Sequence, residues 1–231
     1  MAKFSKIIRE NNENLLINKF IDLFRKRLDR KVKNGKRLSF VLTGGKSPIK
    51  LYKKLAITKK LNWSNVDFFI GDERYVKETS KNSNINLCKK YFLNKIKISQ
   101  KQIFKIPTSS NSIKKDVNKY KKKIKKYFLN KNISFDILLL GIGNDGHIAS
   151  LFIKNIKKKN SLLVDYVKKK DFLRITLSIK CINNSESIFL WAPGKRKKII
   201  IKKILSDKYK KYPASYLRKK NNILFNCNWF S

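Results

Sequence analysis

The sequence is poor in acidic residues, in histidine and in cysteine. It has 15 Asp and Glu against 57 Lys and Arg, a formal net charge of +42, and a single histidine. Its three cysteines, Cys88, Cys181 and Cys227, lie far apart and form no CxxC pair. This spacing indicates neither a disulfide framework nor a zinc site, and it predicts three reduced thiols in a cytosolic protein.

The sequence also lacks long apolar runs and flexible linkers. The first 16 residues include Arg9, Glu10 and Glu13 where a signal peptide needs an apolar core. No apolar run approaches the length of a membrane span. We therefore expect a cytoplasmic protein that does not contact a membrane. Because no segment rich in Gly, Pro or Ser divides the chain, we expect a single α/β domain over residues 1–231.

The excess of lysine has two interpretations. A strongly basic chain is typical of nucleic-acid-binding proteins. The lysines are spread over nearly every segment, however, and the surplus of Asn and Ile has no electrostatic purpose. We therefore favour a general drift in composition and expect no specific nucleic-acid partner, although such a charge should bind polyanions weakly in low salt.

Strands and helices alternate through the first two thirds of the chain. Apolar runs predict strands at 38–42, 63–70, 103–106 and 137–140. Helical spacing predicts an amphipathic helix over 5–30, helices at 49–56, 83–93 and 113–129, and a helix that begins with residues 148–152. Closely spaced strands follow at 162–167, 172–179 and 187–192, then a helix at 195–205 and a strand at 223–225. This order predicts an α/β fold, a mostly parallel Rossmann-like sheet flanked by helices, with a small antiparallel addition in the C-terminal third.

Three loops that each follow a predicted strand carry the candidate functional residues. They are residues 43–47, 71–74 and 141–147, and the last contains the only histidine, His147. The carboxyl ends of parallel strands lie at one edge of the sheet, where open α/β folds bind ligands. Together the loops supply an imidazole, carboxylates, an arginine and a helix N-terminus. This combination suits acid/base chemistry on a phosphorylated small molecule.

Two segments resemble nucleotide-binding motifs, but neither is expected to bind a nucleotide. Gly45-Lys46-Ser47 ends like a P-loop, but Phe40 occupies the position of the required glycine, so we expect only a simple anion site at Gly44, Gly45 and Ser47. Residues 141–146 fit the dinucleotide pattern G-x-G-x-x-G, but Asp145 would repel a pyrophosphate. No G-x-S-x-G motif supports serine hydrolysis.

These segments together resemble the 6-phosphogluconolactonase family, within the superfamily that includes glucosamine-6-phosphate isomerase/deaminase. The resemblance spans nearly the whole chain and is carried by residues 43–52 (TGGKSP followed by LY), 63–74 (a W…DER block), 83–84 (SN), 141–152 (GIGNDGHIASLF), 174–176 (RIT) and 194–197 (GKRK). The sequence departs from the family pattern at Lys46, which replaces a small polar residue, at Ile153, which replaces proline, and at 225–227, where the family's acidic residue is not evident.

The resemblance implies hydrolysis of 6-phospho-D-glucono-1,5-lactone to 6-phospho-D-gluconate, the second step of the oxidative pentose phosphate pathway. It implies a monomer without a metal or other cofactor, whose partner is the sugar-phosphate lactone. We expect His147 to activate water, with Asp145 or Asp72 orienting the imidazole. We expect the phosphate to be bound by Gly44, Gly45, Ser47, Arg74 and Lys197.

Two other functions remain open. The sister activity, isomerisation and deamination of glucosamine 6-phosphate, would use a carboxylate such as Asp72 as the base. That family resembles G-H-I-A-F-N-E-P after the glycine turn, whereas this chain has Ser150, Leu151 and Phe152 there and lacks the acid. A more remote alternative is a basic nucleic-acid-binding protein, which would need a one-sided basic patch with exposed aromatic side chains.

Overall fold

The secondary structure alternates between strands and helices along most of the chain. A computed structural model describes residues 5–156, 163–169, 172–206, 210–217 and 222–227. Its strands are β1 (Lys6–Glu10), β2 (Leu38–Leu42), β3 (Val66–Ile70), β4 (Asp72–Arg74), β5 (Ile103–Phe104), β6 (Ile137–Gly141), β7 (Val164–Lys169), β8 (Phe172–Leu177), β9 (Ile188–Trp191) and β10 (Asn222–Cys227). Its α-helices are α1 (Glu13–Lys33), α2 (Ile49–Ile57), α3 (Asn84–Tyr91), α4 (Ile113–Tyr127), α5 (Ile153–Ile156), α6 (Ile179–Asn183) and α7 (Lys198–Leu205).

The strands form two sheets. Within the described residues, a parallel sheet of seven strands has the order β1-β10-β9-β6-β2-β3-β5, and β4, β8 and β7 form a separate antiparallel sheet. All five residues of β2 and of β3 are buried, as expected for strands covered on both faces. The α/β fold with a small antiparallel addition is confirmed. The strand order reverses between β2 and β6, which opens a crevice at their carboxyl ends.

The antiparallel sheet includes a segment that the sequence predicted to be a loop. Residues 72–74 form β4, which pairs with β8 from the last third of the chain. The run at 187–192 instead joins the parallel sheet as β9. The strand expected at 172–179 ends at Leu177, because Ser178 caps α6 by accepting a hydrogen bond from the Cys181 N–H. Leu162, predicted as the start of a strand, lies outside the described residues.

Two other expectations about helices were wrong. The N-terminal helix begins only at Glu13, after the Asn12 side chain accepts a hydrogen bond from the Leu15 N–H (3.0 Å); the preceding residues form β1, which pairs with β10 from the opposite end of the chain. No helix forms at 148–152, and α5 starts at Ile153. Ala149 has a φ of +48°, which a right-handed helix does not allow.

Aromatic side chains fill the interface between α1 and the parallel sheet. Phe20 is fully buried, and its ring packs against Phe40 of β2, Phe189 and Trp191 of β9 and Phe225 of β10, with ring centroids 5.3–6.5 Å apart. One residue on α1 therefore joins strands from both halves of the sheet. All three cysteines are buried free thiols. In the described part of the chain, no helix has the length and apolar character needed to cross a bilayer.

Replacing Phe20 by alanine should destabilise the fold strongly. We expect Phe20→Ala to lower the free energy of unfolding by about 3–5 kcal/mol, because loss of the ring leaves a cavity between α1 and three strands. Ile57→Ala is the control. Ile57, on α2, is 70% exposed, so this substitution should change the free energy of unfolding by about 0.5 kcal/mol or less. Urea denaturation measures both. If Phe20→Ala and Ile57→Ala lowered the free energy of unfolding equally, the packing described for Phe20 would be wrong.

Candidate active site

A cleft of about 270 Å³ lies at the crevice between β2 and β6. This volume is near the lower end for small-molecule sites, which suits a small metabolite. The cleft brings together most of the residues predicted as a site: Gly44, Gly45, Ser47, Asp72, Arg74, His147 and Lys197 all line it. Asp145, the remaining predicted residue, lies behind His147 and contacts its ring.

The loop after β2 is held against the sheet by a buried tyrosine. The Tyr52 hydroxyl accepts a hydrogen bond from the Thr43 N–H (3.0 Å) and donates one to the Thr43 carbonyl (2.6 Å). Gly45 has a φ of +84°, which favours glycine. A Cβ on Gly44 would lie 1.9 Å from Oδ1 of Asn84, so this glycine makes room for that side chain at the floor of the cleft.

Two adjacent carboxylates of β4 have separate roles. Asp72 is buried at the cleft, where its carboxylate accepts hydrogen bonds from the Ser150 hydroxyl (2.7 Å) and the Asn84 amide (3.3 Å). Glu73 accepts backbone N–H groups of Arg74, Asn84 and Ile85 at 2.6–2.8 Å and so caps the start of α3. Burial raises the pKa of Glu73 to about 7, against the lowering effect of these hydrogen bonds. Glu73 thus supports the loop structurally, whereas Asp72 faces the cleft.

The glycine turn after β6 presents His147 with its orientation defined. Nδ1 of His147 lies 2.5 Å from Oδ1 of Asp145, whose Oδ2 is 2.9 Å from Nζ of Lys169. Partial burial raises the pKa of Asp145, but the hydrogen bonds from Lys169 and His147 outweigh this effect and hold the pKa well below its usual range. With Nδ1 donating to an ionised carboxylate, Nε2 keeps a free lone pair and can accept a proton.

The close approach of His147 to the backbone requires glycine. A Cβ on Gly143 would lie 2.0 Å from Nδ1 of His147 and 2.7 Å from Oδ1 of Asp145. The Gly143 N–H also donates to the His147 carbonyl (2.8 Å), which closes the turn. The glycine turn therefore places the imidazole and its carboxylate together.

Positive charge dominates the walls of the cleft. Among the described residues, four cationic side chains line it, against the single carboxylate of Asp72: Lys46, Arg74, Arg174 and Lys197. Arg74 and Arg174 stand directly opposite each other in the β4–β8 pair, an arrangement in which like charges repel. An anion bound between them would relieve this repulsion. Nζ of Lys197 donates to Oδ1 of Asn144 (2.8 Å), and partial burial lowers the pKa of Lys197.

Several residues of this site were not singled out from the sequence. Arg174 belonged to the RIT segment of the resemblance, but only the pairing of β4 with β8 shows that it reaches the cleft. Asn84 was expected only at the start of a helix, and it also holds Asp72. Nothing in the sequence distinguished Lys169 from the other lysines. Within the described residues, no group of three or more His, Cys, Asp or Glu side chains is placed to hold a metal ion.

Adding a methyl group at Gly143 should displace the imidazole. We expect Gly143→Ala to break the contact between His147 and Asp145, since the ring is the movable partner. Gly194→Ala is the matched control, because a Cβ there meets nothing within 4 Å and its φ is −78°. NMR of the only imidazole in the chain measures the change. If the imidazole signals of Gly143→Ala and Gly194→Ala were identical, the close approach of His147 to Gly143 would be wrong.

Comparisons with known proteins agree with the resemblance drawn from the motifs. The family model described as glucosamine-6-phosphate isomerases/6-phosphogluconolactonase matches residues 11–225. A 6-phosphogluconolactonase of Chlamydia pneumoniae is 30% identical, with 95% of this chain and 89% of that one aligned. The crystal structure of a Thermotoga maritima 6-phosphogluconolactonase superposes with a TM-score of 0.81 at 27% identity, covering 96% of this chain and 97% of that one. A monomeric glucosamine-6-phosphate deaminase also reaches 0.81, over 96% and 97% of the two chains, but at 18% identity this likeness concerns the fold alone. Since the family model covers nearly the whole chain, the protein belongs to the glucosamine-6-phosphate isomerase/6-phosphogluconolactonase family.

Proposed function

We propose that this protein hydrolyses 6-phospho-D-glucono-1,5-lactone to 6-phospho-D-gluconate, in the oxidative pentose phosphate pathway. The observation that carries the proposal is the His147–Asp145 pair at the edge of a cleft lined by four cations. A general base beside a strongly cationic small-molecule site suits water attack on a phosphorylated ester. The relatives named 6-phosphogluconolactonase support the same activity.

The proposed reaction needs one base that returns its proton. Nε2 of His147 takes a proton from water as the water oxygen attacks C1 of the lactone. The bond between C1 and the ring oxygen then breaks, and the imidazolium returns the proton to that oxygen, which becomes the C5 hydroxyl. A lactone carbonyl is already electrophilic, so a positioned water and one base are sufficient.

Asp145 and Asp72 serve different parts of this reaction. Asp145 orients His147 and stabilises the imidazolium that forms, because it accepts from Nδ1 and is held ionised. Asp72 lines the cleft and is held by Ser150 and Asn84. In this position we propose that it accepts hydrogen bonds from sugar hydroxyl groups.

The loop after β2 and the surrounding cations would bind the phosphate. Gly44 and Gly45 allow close approach of the backbone, and α2 begins two residues after Ser47, so its positive end lies near this loop. We propose that Arg74 and Lys197 clamp the phosphate, as expected from the sequence, and that Arg174 joins them. The developing negative charge on the lactone oxygen would be stabilised by N–H donors of the glycine turn or by one of these cations.

The two alternatives find less support. The deaminase shares the fold, but this chain has Phe152 where the sister motif carries its acidic residue. Proteins that bind single-stranded nucleic acids expose aromatic rings on which the bases stack. Here the twelve largest fully buried side chains are all aromatic, and none of the large exposed hydrophobic residues among those described is aromatic.

Removing the imidazole should abolish most of the catalysis. We expect His147→Ala to lower kcat by about 10²- to 10⁴-fold with little change in KM, because the base acts on water and not on substrate binding. The assay compares hydrolysis of freshly generated 6-phosphogluconolactone with its spontaneous rate. Unchanged turnover would remove His147 as the base. Release of ammonia from glucosamine 6-phosphate without lactone hydrolysis would transfer the assignment to the sister activity.

Removing one cation should affect only the phosphorylated substrate. We expect Lys197→Met to raise KM for the phospholactone about 10- to 100-fold, since a charge-assisted hydrogen bond contributes about 1.5–3 kcal/mol. Hydrolysis of unphosphorylated glucono-1,5-lactone should be unaffected. Lys195→Met is the matched control, because Lys195 belongs to the same turn, is exposed and does not line the cleft. Equal losses on both substrates would contradict phosphate binding by Lys197.

A further inference from the structure

Lys169, at the end of β7, contacts the back of the His147–Asp145 pair. Its Nζ lies 2.9 Å from Oδ2 of Asp145 and 3.7 Å from the centre of the Phe152 ring. Neither Lys169 nor Asp145 lines the cleft, whereas His147 does. Any influence of Lys169 on a bound ligand must therefore pass through Asp145 and His147.

Each member of this cluster contacts two others. Asp145 uses one oxygen for His147 and the other for Lys169. Phe152 packs against His147, with ring centroids 4.9 Å apart, and presents its face to the Lys169 ammonium group. The two contacts of Lys169 fix the carboxylate in the orientation that meets Nδ1. The ammonium group also neutralises part of the negative charge that would otherwise make the imidazole more basic.

We propose that Lys169 is a positioning residue for His147, holding the Asp145 carboxylate in place and withdrawing negative charge from the carboxylate–imidazole pair. Its effect on catalysis rests on the proposed function. Its effect on the imidazole does not, because the contacts exist in the free protein.

Other charged groups face this pair from the elements packed around it. Lys197 lies close enough to Asp145 to interact with it electrostatically. Asp72 and Arg74 of β4 and Arg174 of β8 line the same cleft as His147. All of these groups remain when Lys169 alone is replaced, so a difference between variants reports the contribution of Lys169.

The single histidine makes a direct test possible, because one imidazole gives one NMR titration in the free protein. We expect Lys169→Met to move the midpoint of that titration upward by about 0.5–1 pH unit at low salt, as one unit charge a few ångströms away would. Lys168→Met is the matched control. Lys168 is exposed, and as the neighbouring residue of β7 its side chain points to the opposite face. Lys169→Arg should restore most of the wild-type midpoint.

Two results would overturn the proposal: a midpoint in Lys169→Met that does not move or moves downward, or the same displacement in Lys168→Met. The kinetic counterpart is the pH dependence of kcat for 6-phosphogluconolactone. Its acid limb should move upward by the same amount, with KM unchanged. A moved NMR midpoint in a protein that hydrolyses no lactone would retain the role of Lys169 and reject the proposed function.

Discussion

The cleft depends on the parallel pairing of β2 with β6. Their neighbours lie on opposite sides, with β3 and β5 beyond β2, and β9, β10 and β1 beyond β6. The connections that leave these two strands therefore diverge, and a crevice opens between them. The loop after β2 and the glycine turn after β6 face each other across it, and the Gly141 N–H joins them by donating to the Thr43 hydroxyl (3.3 Å). The loop after β2 and the turn that carries His147 thus line one cleft because the strand order reverses at this point.

Two glycines convert this crevice into a site with defined side-chain positions. Gly44 leaves space for Asn84, which holds Asp72, and Gly143 leaves space for His147 against Asp145. In both cases the missing Cβ permits a functional side chain to lie where backbone and side chain would otherwise collide. Asn84 and His147 can occupy these positions only because Gly44 and Gly143 have no Cβ.

Charge is distributed unevenly between the site and the rest of the molecule. Most of the lysines are solvated, but four cations face a cleft that holds one carboxylate. Arg74 and Arg174 lie directly opposite each other on β4 and β8, so that both strands of this pair contribute positive charge to the cleft. On the other side of His147, the positive charge of Lys169 balances the negative charge of Asp145. The site therefore combines a cationic wall for an anionic ligand with a nearly neutral support for the base.

The sequence by itself determined the parallel sheet and the loops that follow β2 and β6. The apolar composition of segments such as Leu38–Leu42 and Ile137–Gly141 predicts buried strands. The glycines and the single histidine that follow Ile137–Gly141 predict the turn after β6. Only the tertiary structure decided that Lys6–Glu10 forms a strand, that residues 72–74 pair with β8, and that 148–152 is not helical. These features depend on partners more than 75 residues away, such as Thr176 for Asp72 and Asp72 for Ser150, and local periodicity contains no information about such contacts. For the same reason Arg174 and Lys169 acquire their roles only when β7 and β8 fold against the glycine turn and β4.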